Sequence, residues 1–107
     1  MTLRGEQMRS DEIEAVGIDG NGSLWIRPAT STFPLIYRAA MQVHWDDGRR
    51  CLYVPKPLEW SYPRWFRQIT DAARREYGTE LRIAPTTSWS NVEPDLQREI
   101  LASIDSD

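Results

Sequence analysis

Apolar and polar positions alternate most regularly between Leu35 and Asp46. Leu35, Tyr37, Ala39, Met41, Val43 and Trp45 fall on one face, and Ile36, Arg38, Ala40, Gln42, His44 and Asp46 on the other. This is the period of two of a strand with one covered side, so a strand is predicted over 35–46 with its odd-numbered positions in the core. Asp47-Gly48 suits a two-residue hairpin turn. That turn opposes His44 to Cys51 and places Leu52 and Val54 on the face of Val43 and Met41. A three-residue loop would instead set Cys51 against Val43.

Beyond Pro55 and Pro57 the period changes. Trp65, Phe66, Ile69, Ala72, Ala73 and Tyr77 recur at helical spacing, with Ser61 placed as N-cap and Pro63 in the first turn. Arg74 and Arg75 fall in the last turn and Gly78 at the position after it, so a helix is predicted over 62–77. A second helix follows from the stripe Val92, Leu96, Ile100, Leu101 and Ile104, with Asn91 as its cap and Glu93, Pro94 and Asp95 in its first turn. The β-branched residues of Glu12–Ile18 predict a strand of imperfect alternation. Asp19-Gly20-Asn21-Gly22 turns the chain into a second strand, Ser23–Arg27. Ala29–Pro34 reads as a loop. Thr79–Ala84 is a short strand stopped by Pro85, and 86–91 a loop. The resulting order β-β-β-β-α-β-α predicts an α+β fold, an antiparallel sheet with two amphipathic helices packed on it. Residues 1–10 have no period and read as a loosely ordered lead-in.

The chain of 107 residues is the length of one domain, and 40% hydrophobic residues suit a packed core. A single domain spanning 1–107 is expected. One cysteine, Cys51, and one histidine, His44, exclude an internal disulfide and a closed Cys/His zinc site within one chain. No metal or cofactor is expected. Aligning Asp19–Gly22 with a calcium-binding loop puts Gly17 and Pro28 at ligand positions, so that match fails. The amino terminus lacks the apolar core of a secretory signal and no apolar run reaches membrane-span length, so a cytoplasmic protein is expected. A net charge of −3 disfavours generic nucleic-acid binding, although the middle of the chain is basic and its end, with Glu93, Asp95, Glu99, Asp105 and Asp107, is acidic.

Two blocks, Ile36–Asp46 and Glu59–Ile69, resemble small bacterial proteins carried on integron gene cassettes, a group without assigned catalytic or binding residues. The resemblance implies a bacterial, adaptive accessory protein and transfers no role to any position.

Three kinds of chemistry have candidate residues. Trp60, Tyr62 and Trp89 lie in predicted connections, where large aromatics either lid the core or form a binding surface for a small molecule or protein partner. Trp45 and Trp65 fall on core faces. Cys51 with His44 is the weaker, enzymatic candidate, since an imidazole beside a thiol can activate it as a nucleophile. Arg64, Arg67, Arg74 and Arg75 fit a helix tracking a phosphate backbone, but Asp71 and Glu76 interrupt that face. The leading expectation is a non-enzymatic binding module, assembled as a homo-oligomer, that uses Trp60, Tyr62 and Trp89.

Overall fold

A computed structural model describes residues 9–55 and 60–105, with side chains described to Ser103. Of the predicted lead-in, residues 1–8 lie outside the described residues, as do Lys56, Pro57, Leu58 and Glu59 and the side chain of Ile104. The strands are β1 (Arg9–Ile18), β2 (Leu24–Pro28), β3 (His44–Asp46), β4 (Cys51–Val54) and β5 (Thr79–Ser90), and the helices are α1 (Tyr62–Tyr77) and α2 (Pro94–Asp105). The fold is α+β. One five-stranded sheet runs in the order β3-β4-β2-β1-β5. α1 packs on one face of this sheet, and α2 packs against α1.

The sheet is mixed rather than wholly antiparallel, because β5 lies parallel to β1. β4 is antiparallel to β2, and β2 to β1, so β4 also runs parallel to β5. The intervening α1 is the physical reason. A helix returns the chain to the end of the sheet where the preceding strand began, so the next strand must run the same way.

Helix α1 forms where its pattern predicts. The Ser61 side chain accepts from the Arg64 amide, Pro63 lies in the first turn, and Gly78 closes the helix in the left-handed region at φ 64°. Its buried stripe, Phe66, Ile69, Ala72 and Ala73, meets Ile13 and Val16 of β1, Leu24 and Ile26 of β2, and Leu52 and Val54 of β4 in one core. A bulge at Glu14 lets Ile13 pair with Pro28 while Ala15 pairs with Arg27. It keeps Ile13 and Val16 on the same face despite their odd spacing, which accounts for the imperfect alternation of this strand.

The predicted strand over 35–46 is confined to His44–Asp46. Ile36–Arg38 is instead a single 3-10 turn. Amides of Ile36, Arg38, Ala39, Ala40 and Val43 each donate three or four residues back. The buried positions are Phe33, Ile36, Ala40 and Val43, whereas Leu35, Tyr37 and Met41 are exposed, Met41 by 86%. Spacings of three and four are helical, and here they decide the path. Phe33, edge-on to both Trp45 and Tyr77, anchors the turn.

The hairpin register also differs from both expectations. His44 pairs with Tyr53, Trp45 with Leu52 and Asp46 with Cys51. The turn spans 47–50 rather than Asp47-Gly48 alone. Arg50 takes the left-handed conformation at φ 56°, and Asp46 Oδ1 accepts from the Arg49 amide.

β5 does not stop at Pro85. Ile83 pairs with Ile13 and Ser88 with Ala15, so residues 84–87 bulge out against Glu14 alone. Thr87 closes the bulge. Its buried hydroxyl donates to Ile13 O at 2.6 Å and accepts from the Ala84 amide at 2.8 Å. Trp89 therefore lies in a strand rather than a loop. Asn91 is not the cap of α2. It sits at φ 60° and donates its side-chain amide to Ile18 O, and α2 begins at Pro94.

Candidate binding surface

Trp60 and Tyr62 flank the cap of α1, and the start of the helix organises both. The Trp60 ring lies 4.5 Å from that of Trp65, tilted by 41°. The Arg64 guanidinium sits over Trp60, 4.4 Å from the ring centroid. Cation, Trp60 ring and Trp65 ring thus share one corner of the molecule, in the contact range that favours cation–π attraction. Tyr62 packs against the core with its body and donates its hydroxyl to Gly22 O at 2.9 Å, which ties the turn between β1 and β2 to the helix start.

Trp65 is 8% exposed, and its indole Nε1–H is buried without an acceptor among the described residues. Its ring belongs to the core, as its helical position predicts, but the polar end of that ring is unsatisfied. Periodicity identifies which side chains go inward and says nothing about whether their donors find partners. The signal available was the spacing of Trp60, Arg64 and Trp65, which brings a preceding aromatic back over the first helical turn.

Trp89 is half-buried on β5 and packs against the core. Its position pairs with Val16. Among the described residues no ring contact joins it to Trp60 or Tyr62, although all three pack against the same core.

Cys51 and His44 are on neighbouring strands but are not opposed. His44 lies against Tyr53, ring centroids 5.3 Å apart, while Cys51 is opposite Asp46. Cys51 is fully buried with Ala15 and Trp25 on the sheet face away from α1. Burial pushes its thiol up, more than the nearby Arg49 pulls it down. A reactive thiol needs access and a depressed pKa, and Cys51 has neither. On that face Gly17 leaves room for the Trp25 indole, and Arg27 and Arg49 lie over the Trp25 ring at 5.1 and 5.5 Å. Asp19 holds Arg49 through both guanidinium nitrogens, at 3.0 and 3.1 Å.

The arginines of α1 do not make an uninterrupted basic stripe. Arg74 pairs with Asp71 at 2.8 Å, and Arg64 is stacked on Trp60. Arg75 is exposed. Arg67 lines a hollow of about 140 Å³ between α1 and β5 together with Asp71, Arg74 and Glu80, so both signs of charge meet there. Among the described residues no group of three His, Cys, Asp or Glu side chains is placed to hold a metal. Among the described residues no helix is long and apolar enough to cross a membrane.

The Integron Cassette Protein Hfx_Cass5 family model matches residues 11–87. The solved structure of integron cassette protein Hfx_Cass5, from the mobile metagenome of the North West Arm sewage outfall, is 41% identical. The match covers 92% of this chain and 98% of that one, with a TM-score of 0.46. No curated protein matches the chain. The family match spans both the sheet and α1, and this chain belongs to the Hfx_Cass5 family of integron cassette proteins.

Proposed function

We propose that this protein is a non-enzymatic binding module whose aromatic corner at the start of α1 takes a flat group carrying a hydrogen-bond acceptor, on a small molecule or a protein partner. The observation that carries the reading is the buried Trp65 Nε1–H, which has no partner among the described residues. Leaving such a donor unsatisfied costs about 1–3 kcal/mol, and folded proteins contain few of them. An acceptor on a ligand that opens the contact between Trp60 and Trp65 to reach the donor recovers that cost. The half-buried Trp60 ring supplies a stacking surface beside it, and the Arg64 guanidinium favours an acceptor of negative charge. The buried, unactivated Cys51 gives the enzymatic alternative no comparable support.

The test is a fluorescence titration with a panel of planar aromatic carboxylates and amides, on the native protein and on Trp60→Ala, Trp89→Ala and Arg64→Ala. Binding that is lost in Trp60→Ala, weakened for carboxylates in Arg64→Ala and kept in Trp89→Ala supports the reading. Binding indifferent to Trp60 and Arg64 refutes it.

A further inference from the structure

β5 is an edge strand, and among the described residues only β1 pairs with it. Which of its main-chain groups face outward follows from one hydrogen bond. The Arg9 amide donates to Gly78 O at 2.9 Å, so the carbonyl of the Gly78–Thr79 peptide points at β1. The amide of Thr79, on the opposite side of that peptide plane, points away. Groups alternate along a strand, so Glu80, Arg82 and Ala84 address β1, while Leu81 and Ile83 turn their N–H and C=O outward. The Ala84 amide agrees, since it meets the Thr87 hydroxyl that is bonded to Ile13 of β1. Two open hollows flank this edge, one reaching Glu80 and Leu81 and the other reaching Arg82 and Ile83.

Natural proteins guard such an edge with charges that repel a second strand. Here the guard has an exception. Glu80 and Arg82 are exposed and alternate with the buried Leu81. If two copies of β5 meet antiparallel with Leu81 on the twofold axis, the two Leu81 residues exchange both main-chain hydrogen bonds. Glu80 of each copy then opposes Arg82 of the other at a non-hydrogen-bonded position, where side chains are closest. Moving the axis by one residue opposes Glu80 to Glu80 or Arg82 to Arg82. Opposite charges directly across a ladder stabilise it and like charges destabilise it, so one register is selected. The hollow beside Leu81 carries Arg67, Asp71 and Arg74, a mixture of signs compatible with its own copy across a twofold axis.

We propose that β5 is a homodimer interface, joining two sheets into one continuous sheet through an antiparallel pair centred on Leu81. The proposal is independent of the ligand reading at α1. Sedimentation velocity of the full chain from micromolar to submillimolar concentration tests it, with circular dichroism to establish that each variant is folded. A reversible dimer is expected. Glu80→Arg and Arg82→Glu, each of which creates two like-charge pairs across the axis, are expected to weaken dimerisation about tenfold or more. The double variant Glu80→Arg/Arg82→Glu restores opposite charges and is expected to return the native strength within about threefold. The Leu81 amide is expected to become more protected from hydrogen exchange as concentration rises. A native protein that stays monomeric, a dimer unchanged by either single variant, or one not restored by the double variant overturns the proposal.

Discussion

Thr87→Val isolates the contact that allows β5 to continue past Pro85. The substitution keeps the shape of the side chain and removes only the hydroxyl. In the native protein that hydroxyl donates to Ile13 O at 2.6 Å and accepts from the Ala84 amide at 2.8 Å, with Thr87 7% exposed. Both main-chain groups lose their partner at once. A buried polar group left unpaired costs about 1–3 kcal/mol, and water entry at the open bulge relieves part of it, so the expected loss is about 2–4 kcal/mol. For a domain of this size that lowers the melting temperature by about 10–20 °C. Thr87→Ser keeps the hydroxyl and loses one methyl, about 1 kcal/mol. The assay is urea unfolding of both variants followed by circular dichroism, with the midpoint compared at unchanged slope. If Thr87→Val unfolds within about 0.5 kcal/mol of the native protein, the hydroxyl does not hold the bulge and the argument fails.

Three further outcomes follow from named contacts. A Cβ added at Gly17 would lie 2.2 Å from Trp25 Cζ2, so Gly17→Ala must displace the indole and is expected to cost about 1–3 kcal/mol in the same assay; an unchanged midpoint contradicts that packing. Desolvation alone would raise the Asp11 carboxyl, but hydrogen bonds from the Ser31 and Thr30 amides and the Thr30 hydroxyl outweigh it and hold it below its ordinary value. A lowered native pKa contributes stability that is complete above the unfolded value, about 3.9, and is lost as pH falls through the native value. Asp11→Asn is therefore expected to unfold more easily at neutral pH and to show a shallower loss of stability in acid; an acid limb identical to the native one would contradict the assignment. Native Cys51 is expected to react with iodoacetamide at least about tenfold more slowly than in urea, and reaction at the unfolded rate would reopen a chemical role for it.

Helix α1 was legible because every signal agreed: the Ser61 cap, the proline in the first turn, the apolar stripe and Gly78 at its end. The path of segment 35–46 is not legible in its sequence, because Ala39 and Ala40 are both apolar and hide the phase. The alternation therefore fits a strand, while Phe33, Ile36, Ala40 and Val43 fit successive turns, and only contact with Trp45 and Tyr77 selects between them. The extent of β5 was hidden by Pro85, an ordinary strand terminator, because a bulge closed by a side-chain hydroxyl across the sheet has no local signature. Of the candidate surface, Trp60 was visible as an aromatic outside the regular elements. The contribution of Trp65 was not, because an inward position on a helix does not reveal that the indole donor at its end lacks an acceptor.

The five tryptophan indole N–H resonances, assigned by single substitution in 15N-labelled protein and followed during titration with an aromatic carboxylate that binds, report whether Trp65 gains an acceptor. The Trp65 indole proton is predicted to move downfield as it gains an acceptor, with Trp60 shifting beside it from ring stacking and Trp25, Trp45 and Trp89 nearly still. A Trp65 resonance that stays in place while another indole responds would contradict the account.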